Sequence, residues 1–148
     1  MIGRYLFVLQ KCFHIDLVKP FHSNLRKELT KMPKGYFNDS GLRNIALNRF
    51  YAFENREDRG MLLENYVFNR LRDLNREGTV YFWRTADQHE VDFVVSSESL
   101  KGNAYEVKMN CTGIKPGTYK RFTEQYPNYP LETISYTIHK DCKWVLKL

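Results

Sequence analysis

The chain is poor in cysteine and has no long apolar run, no block of like charge and no phosphate-binding glycine loop; each absence narrows its class. Three cysteines, Cys12, Cys111 and Cys142, are too few and too scattered for a disulfide framework, so reduced thiols in a cytoplasmic setting are expected. The apolar stretch from Tyr5 to Leu9 is short, is followed by Lys11 and has no small-residue cleavage site after it. No later run approaches the ~20 apolar residues of a membrane span. The expectation is a soluble, intracellular protein with no membrane partner. Without a Gly-x-x-x-x-Gly-Lys-Ser/Thr sequence there is no P-loop, hence no ATP site of that kind in this chain.

What is present is a globular composition. Hydrophobic residues make up 43% of 148 and include 10 Tyr, 10 Phe and 2 Trp, enough for one domain with a real core and too many for a disordered chain. The net charge of +6 favours polyanions such as nucleic acid, although many basic proteins bind none.

Residues 1–57 read as a lead-in packed on a core spanning 58–148. Gly3 to Cys12 suits a short helix, Phe13 to Val18 alternates like a strand that stops at Pro20, and Lys34 to Asn38 suits a return strand. Asp39-Ser40 then caps a helix through Leu42, Ile45, Ala46 and Phe50. From Asp58 the pattern sharpens: Leu63, Val67, Leu71 and Leu74 form one helical stripe, with Glu64 at its margin and Gly78 as a C-terminal stop. Thr79 to Arg84, Glu90 to Val95 and Ala104 to Met109 read as strands. Gly117 to Tyr126 reads as a helix with Tyr119, Phe122 and Tyr126 on one face, and Leu131 to His139 and Lys143 to Leu146 as closing strands. The class is α/β, a small mixed sheet flanked by helices.

Chemistry concentrates in four residues: Glu64, Asp92, Glu106 and Lys108. In a strand Glu106 and Lys108 share a face while Val107 points the other way. A neighbouring strand carrying Asp92 sets two carboxylates side by side, which is costly unless a cation joins them. Mg²⁺ or Mn²⁺ removes the conflict, taking one or two carboxylates plus waters and phosphate oxygens, and Lys108 is placed to orient a water. That combination suggests phosphodiester hydrolysis. Around it, Arg84 and His89 are candidates to contact substrate phosphate, Trp83 to stack on a base or pack in the core, and Lys115, Lys120 and Arg121 to line a nucleic-acid track. Cys12, His14, His139 and Cys142 have donor atoms suited to zinc, but their spacing matches no known finger and ordinary packing or surface roles are expected.

The order helix, three strands, helix, strand, with an acid on the first helix, Asp on the second strand and Glu-x-Lys on the third, resembles the restriction-endonuclease-like PD-(D/E)XK superfamily over about Gly60 to His139. A longer series, Lys34-Gly35-Tyr36-Phe37-Asn38-Asp39-Ser40-Gly41-Leu42, Gly60-Met61-Leu62-Leu63-Glu64-Asn65, Trp83-Arg84-Thr85, Glu90-Val91-Asp92-Phe93 and Glu106-Val107-Lys108, is similar to the C-terminal domain of unknown function that follows a AAA-type ATPase module in many bacterial and archaeal proteins. The superfamily resemblance implies Asp92 as central metal ligand, Glu106 as second and Glu64 as accessory ligand, with Lys108 positioning water or stabilising charge. Val91 stands where the motif's name has proline, a position that does not touch the metal. The implied activity is a Mg- or Mn-dependent nuclease or nuclease-like domain acting on DNA, working with a AAA-type ATPase in cis or trans. Since the ATPase half is absent, the chain is a fragment, a stand-alone relative or a remnant. Two other readings stand beside it: a catalytically inactive nucleic-acid- or protein-binding regulatory module of an ATPase, and a structural domain that forms a homodimer.

Overall fold

The computed structural model describes residues 2–21, 32–97, 99–111, 117–137 and 143–144. In chain order these form α1 (Ile2–Lys11), β1 (Ile15–Val18), β2 (Lys34–Phe37), α2 (Ser40–Leu47), a 3-10 turn (Phe53–Asn55), α3 (Arg59–Leu74), β3 (Thr79–Arg84), β4 (Glu90–Ser96), β5 (Gly102–Lys108), α4 (Lys120–Gln125), β6 (Leu131–Ser135) and β7 (Lys143–Trp144). The architecture is mixed α/β. No helix among the described residues is long and apolar enough to cross a membrane.

Local chemistry accounts for several boundaries. The Asp39 carboxylate accepts the Leu42 N–H at 2.6 Å and starts α2, and Asn48, at φ 51°, closes it by donating its N–H to the Asn44 and Ile45 carbonyls. The long helix α3 buries Leu63, Val67, Phe68 and Leu71, each worth roughly 1.5–3 kcal/mol. Two expectations fail here. Leu74 is 57% exposed, because it is the last residue of the helix. Gly78 is not the stop either: Asn75 caps α3, and the Gly78 N–H closes a separate turn onto the Asn75 carbonyl before β3 begins.

A five-stranded sheet runs in the order β3-β4-β5-β6-β7. The first three strands are an antiparallel meander; β6 and β7 join in parallel. Glycine is required at Gly102, where a Cβ would lie 1.8 Å from the Val95 carbonyl oxygen in the neighbouring strand.

One irregularity bears on the site. Tyr81 pairs with Val94 and Trp83 with Val91, so two steps along β3 match three along β4, and β4 carries an extra residue at Asp92-Phe93. Opposite this bulge, Phe82 turns its backbone outward: its N–H bonds the Lys19 carbonyl at 3.1 Å, and its carbonyl accepts the Phe21 N–H at 2.6 Å. The segment after β1 therefore covers the β3 edge.

The sheet is a middle layer. On one face Phe82, Phe93, Val95, Tyr105 and Ile134 pack with α3 and with Val18 and Tyr36 of the β1-β2 hairpin. On the other, Trp83, Val91, Val94 and Ala104 pack with Phe122, Tyr126 and Tyr129, with Tyr119 alongside, as the helical face expected from the sequence. The hairpin is fastened to α3 by polar side chains. Asn65 bonds both the N–H and the carbonyl of Phe37, at 2.9 and 2.8 Å, and Arg72 reaches Asp16 at 3.0 Å and Asn38 at 2.7 Å.

Candidate functional site

Asp92 and Glu106 flank the point where β4 and β5 part. Their antiparallel ladder runs from Ser96↔Gly102 to Phe93↔Tyr105 and goes no further. Beyond that point the Val107 N–H is taken by Asp92 Oδ2 at 2.8 Å, while Glu106, Val107 and Lys108 pair in parallel with Thr133, Ile134 and Ser135 of β6. A side-chain oxygen has replaced a strand carbonyl, and the bulge turns Asp92 toward the α3 layer together with its neighbour Phe93. Alternation along β5 holds: Val107 packs against the α3-side core, and Glu106 and Lys108 lie on the opposite face.

Glu64, on α3, accepts from the Tyr36 hydroxyl at 2.5 Å and from Lys34 Nζ at 3.1 Å. The same ammonium contacts Glu90 and lies 4.0 Å from Asp92 Oδ1, and also sits over the Phe82 ring at 5.4 Å. Lys108 Nζ bonds Glu106 Oε1 at 2.6 Å. The Tyr119 hydroxyl bonds the Glu106 carboxylate as well, yet the buried Oε2 of Glu106 makes no hydrogen bond to any described residue.

The electrostatics follow this layout. Burial, then the Glu106 and Glu64 carboxylates, push Asp92 up to about 7, against the pull of the Val107 N–H and Lys34. Burial also raises the Tyr36 and Tyr119 phenols, Tyr36 further by Glu64 and Tyr119 further by Glu106. Burial would lower Lys34, but Glu64, Glu90 and Asp92 outweigh it and its pKa is raised; Glu106, Asp92 and Glu64 do the same for Lys108. Burial would raise Glu90, but Lys34 and Arg84 hold it low.

The sequence-predicted residues thus fall into groups. Asp92 and Glu106 interact, Glu64 approaches from the helix side, and Lys108 is beside Glu106. Among the described residues, no group of three or more His, Cys, Asp and Glu side chains is gathered closely enough to hold a metal ion. Arg84 binds Glu90 with Nε at 2.7 Å and a terminal nitrogen at 2.6 Å. His89 is exposed in the β3-β4 turn, its backbone bonded to Thr85. Lys115 lies outside the described residues, as do His139 and Cys142. Trp83 is 3% exposed with its ring against Phe122, so the stacking role is corrected to core packing. Lys120 and Arg121 are exposed and face Glu124 and Asp87. Cys12 is free, but Cys111 is disulfide-bonded, which corrects the expectation of reduced thiols: pairing depends on how close the fold brings two Cα atoms, and sequence spacing does not report that.

Sequence reasoning assigned no site role to Lys34, Tyr36, Glu90 or Tyr119. Lys34 and Tyr36 sit in the Lys34-Gly35-Tyr36-Phe37 run and Glu90 two residues before Asp92, so the ordered motifs contained the signal. An open cavity of ≈ 350 Å³ lined by Lys34, Tyr36, Arg43, Leu47, Met61 and Glu64 lies on the α3 side of the cluster; Asp92 and Glu106 do not line it.

Residues 59–144 match a domain of unknown function, DUF4143, and residues 1–52 match a second one, DUF8612. The chain is 30% identical over 113 residues to an uncharacterized protein of Mycobacterium bovis and, to the same extent, to one of Mycobacterium tuberculosis, covering 74% of this chain and 25% of each of theirs. It therefore spans about a quarter of the length of the curated relatives it matches. No solved structure matches. With more than half of its length matched, the chain belongs to the DUF4143 family of domains of unknown function.

Proposed function

We propose that this domain is a divalent-metal-dependent nuclease or nuclease-like domain acting on DNA, built on a restriction-endonuclease-like PD-(D/E)XK core and working with a AAA-type ATPase module in cis or trans. The observation that carries the reading is the placement of half-buried Asp92, on the Val107 N–H, and buried Glu106, with Lys108 on it, at the opening between β4 and β5. The element order α3, β3, β4, β5, α4, β6 agrees with that core, as does a mixed sheet whose first three strands are antiparallel.

The residues suit a hard cation in donor type. Glu106 Oε2 is a buried acceptor without a donor among the described residues, and Mg²⁺ takes one or two carboxylates with waters completing its shell. Asp92 and Glu106 would hold it, with Glu64 accessory. When bound, Mg²⁺ or Mn²⁺ supplies charge stabilisation at phosphate oxygens and a more acidic water. Asp92 is fixed by the Val107 N–H, Glu64 by Tyr36 and Lys34, and Lys108 presents an ammonium beside Glu106 where it can orient a water or stabilise developing charge. The net charge of +6 adds long-range attraction for DNA.

The test is cleavage of duplex and single-stranded DNA with Mg²⁺ or Mn²⁺, with and without an ATPase partner. Asp92→Asn, Glu106→Gln and Lys108→Ala should each abolish cleavage while the protein stays folded. Cleavage unaffected by these changes, or absent under every condition, sinks the catalytic assignment. One observation favours a second reading, a non-catalytic binding module: Lys34 and Lys108 already neutralise the acids, and no three of them converge. Salt-sensitive DNA binding without cleavage would select it.

A further inference from the structure

Arginines outnumber acids around the start of α3. From Arg43 to Arg59 the sequence carries four arginines and three acids, Glu54, Glu57 and Asp58, one net positive charge. Of the three acids only Asp58 is buried, and Arg43 and Arg56, buried as well, share its carboxylate. Two guanidiniums on one carboxylate leave positive charge that an anion from outside would neutralise. Asp58 gives the N-terminus of α3 no side-chain cap and the first turn holds no acid, so the positive end of that helix adds to the same field.

Arg49 completes the cluster. Its guanidinium is 41% exposed and lies 3.9 Å from both Asp58 and Glu57, too far for a hydrogen bond. Its backbone, by contrast, is fixed: the N–H donates to the Asn44 carbonyl at 2.9 Å, and the carbonyl accepts from Arg56 at 3.0 Å. A cavity of ≈ 210 Å³ opens here, lined by Arg49, Tyr51, Asn55, Arg56 and Glu57. The Tyr51 hydroxyl and the Asn55 side-chain amide make no hydrogen bond to another described residue. Glu57, the acid on this lining, is 93% exposed, and water and salt screen its charge.

We propose that this cavity is a subsite for one phosphodiester of a nucleic-acid backbone, with Arg49 as its charged contact and Tyr51 and Asn55 as neutral donors. This rests on the nucleic-acid part of the reading above and gives it a place on the molecule; it needs no metal. A guanidinium with neutral donors beside it is the usual grip on a backbone phosphate. A phosphodiester carries one negative charge, equal to the net positive charge of this segment, whereas a free phosphate carries about −1.5 to −2. At 1.5 Å per residue Asp58 lies about 9 Å along α3 from Glu64, so one polyanion can span the cavity and the candidate centre. Arg43 and Arg56 stay with Asp58 as the frame. Because Arg56 holds the backbone of Arg49 and not its side chain, the Arg49 guanidinium can be exchanged without cutting that tie.

The experiment is fluorescence anisotropy of labelled single-stranded and duplex DNA, in EDTA so that nothing is cut, across a series of NaCl concentrations. The full chain is compared as parent, Arg49→Gln, Arg49→Lys and Tyr51→Phe. Arg49→Gln should weaken binding about tenfold at low salt and reduce the slope of log K against log salt by about 0.7–0.9, the share of one phosphate. Arg49→Lys should keep the slope. Tyr51→Phe should weaken binding about threefold with the slope unchanged, since it removes a neutral donor. Equal affinity and slope in parent and Arg49→Gln overturn the subsite and leave nucleic-acid binding standing, whereas no binding by any folded form at low salt overturns both. Inorganic phosphate is the second probe, added at constant ionic strength. If it raises the melting temperature of the parent and not of Arg49→Gln while DNA affinity is the same in both, the cavity takes free phosphate and the proposal is overturned. Should Arg49→Gln not fold, Tyr51→Phe decides, and unchanged DNA affinity there overturns the subsite.

Discussion

Two aspartates of this molecule are withdrawn from solvent, and their surroundings are opposite in kind. Asp58, before α3, is gripped by Arg43 at 2.8 Å and by two arms of Arg56 at 2.9 Å; Arg56 in turn bonds Asn44 at 2.9 Å and the Arg49 carbonyl at 3.0 Å. Asp92 has one backbone N–H at 2.8 Å, an ammonium at 4.0 Å, and two carboxylates acting against it. The Arg56 hydrogen bonds, against burial and with Arg43, hold Asp58 well below the usual carboxylate range, whereas burial and like charge raise Asp92 to about 7. Arginine forks satisfy a carboxylate and tie elements together. Clustered acids do the reverse: each makes its neighbours costlier to ionise, which makes Asp92 a functional candidate and Asp58 a structural one.

The comparison breaks first at stability. Asp58→Ala leaves two buried guanidiniums without their partner and should cost about 3–5 kcal/mol in urea denaturation. Asp92→Ala should be neutral or mildly stabilising without metal at pH 8; an equal loss from both would make Asp92 another structural tie.

The next contrast is with pH. Asp92, raised when folded, binds a proton that the unfolded chain has released, so its cost is absent below about pH 4, grows as pH rises and is complete above about 7. Asp58, depressed when folded, adds stability above about pH 4 that is lost on acidification. Metal-free parent should therefore lose stability relative to Asp92→Asn between pH 4 and 8, by an amount on the order of 4 kcal/mol. Parallel pH curves for the two proteins would remove the contrast.

Metal sharpens it. Mn²⁺ or Mg²⁺ at roughly a hundred times its dissociation constant should stabilise the parent by about 2.7 kcal/mol. Asp92→Asn should abolish the gain, and a melting temperature unmoved by millimolar metal in the parent would count against a preformed site. The smallest effect sets the baseline: Arg121 and Asp87 are 58% and 69% exposed, so Arg121→Ala should change stability by under about 1 kcal/mol despite a 2.8 Å contact. A large loss there would mean that exposed pairs matter in this protein as much as the Asp58 cluster does.

Periodicity made part of this legible. Leu63, Val67 and Leu71 marked the buried face of α3, and a helix that must bury a stripe has little freedom in which side it turns inward. Glu106, Val107 and Lys108 followed strand alternation, so the Glu-Lys pair on one face was readable from adjacent letters. What the residues by themselves determined is the element order, the faces of α3 and β5, and the supply of acids and lysines.

Tertiary structure alone decided how those charges meet. The bulge that turns Asp92 arises where Phe82 gives its backbone to Lys19 and Phe21, more than sixty residues earlier, and no period-two pattern contains that information. Lys34 reaches Glu64 across 30 residues because Asn65 and Arg72 fasten the β1-β2 hairpin to α3. Leu74 fits the stripe and is exposed, while Trp83, eligible as a stacking platform, is sealed against Phe122. The physical reason is range. Helix and strand periods are set by neighbours a few residues away, whereas a buried charge takes its state from whichever distant groups packing brings within a few ångströms.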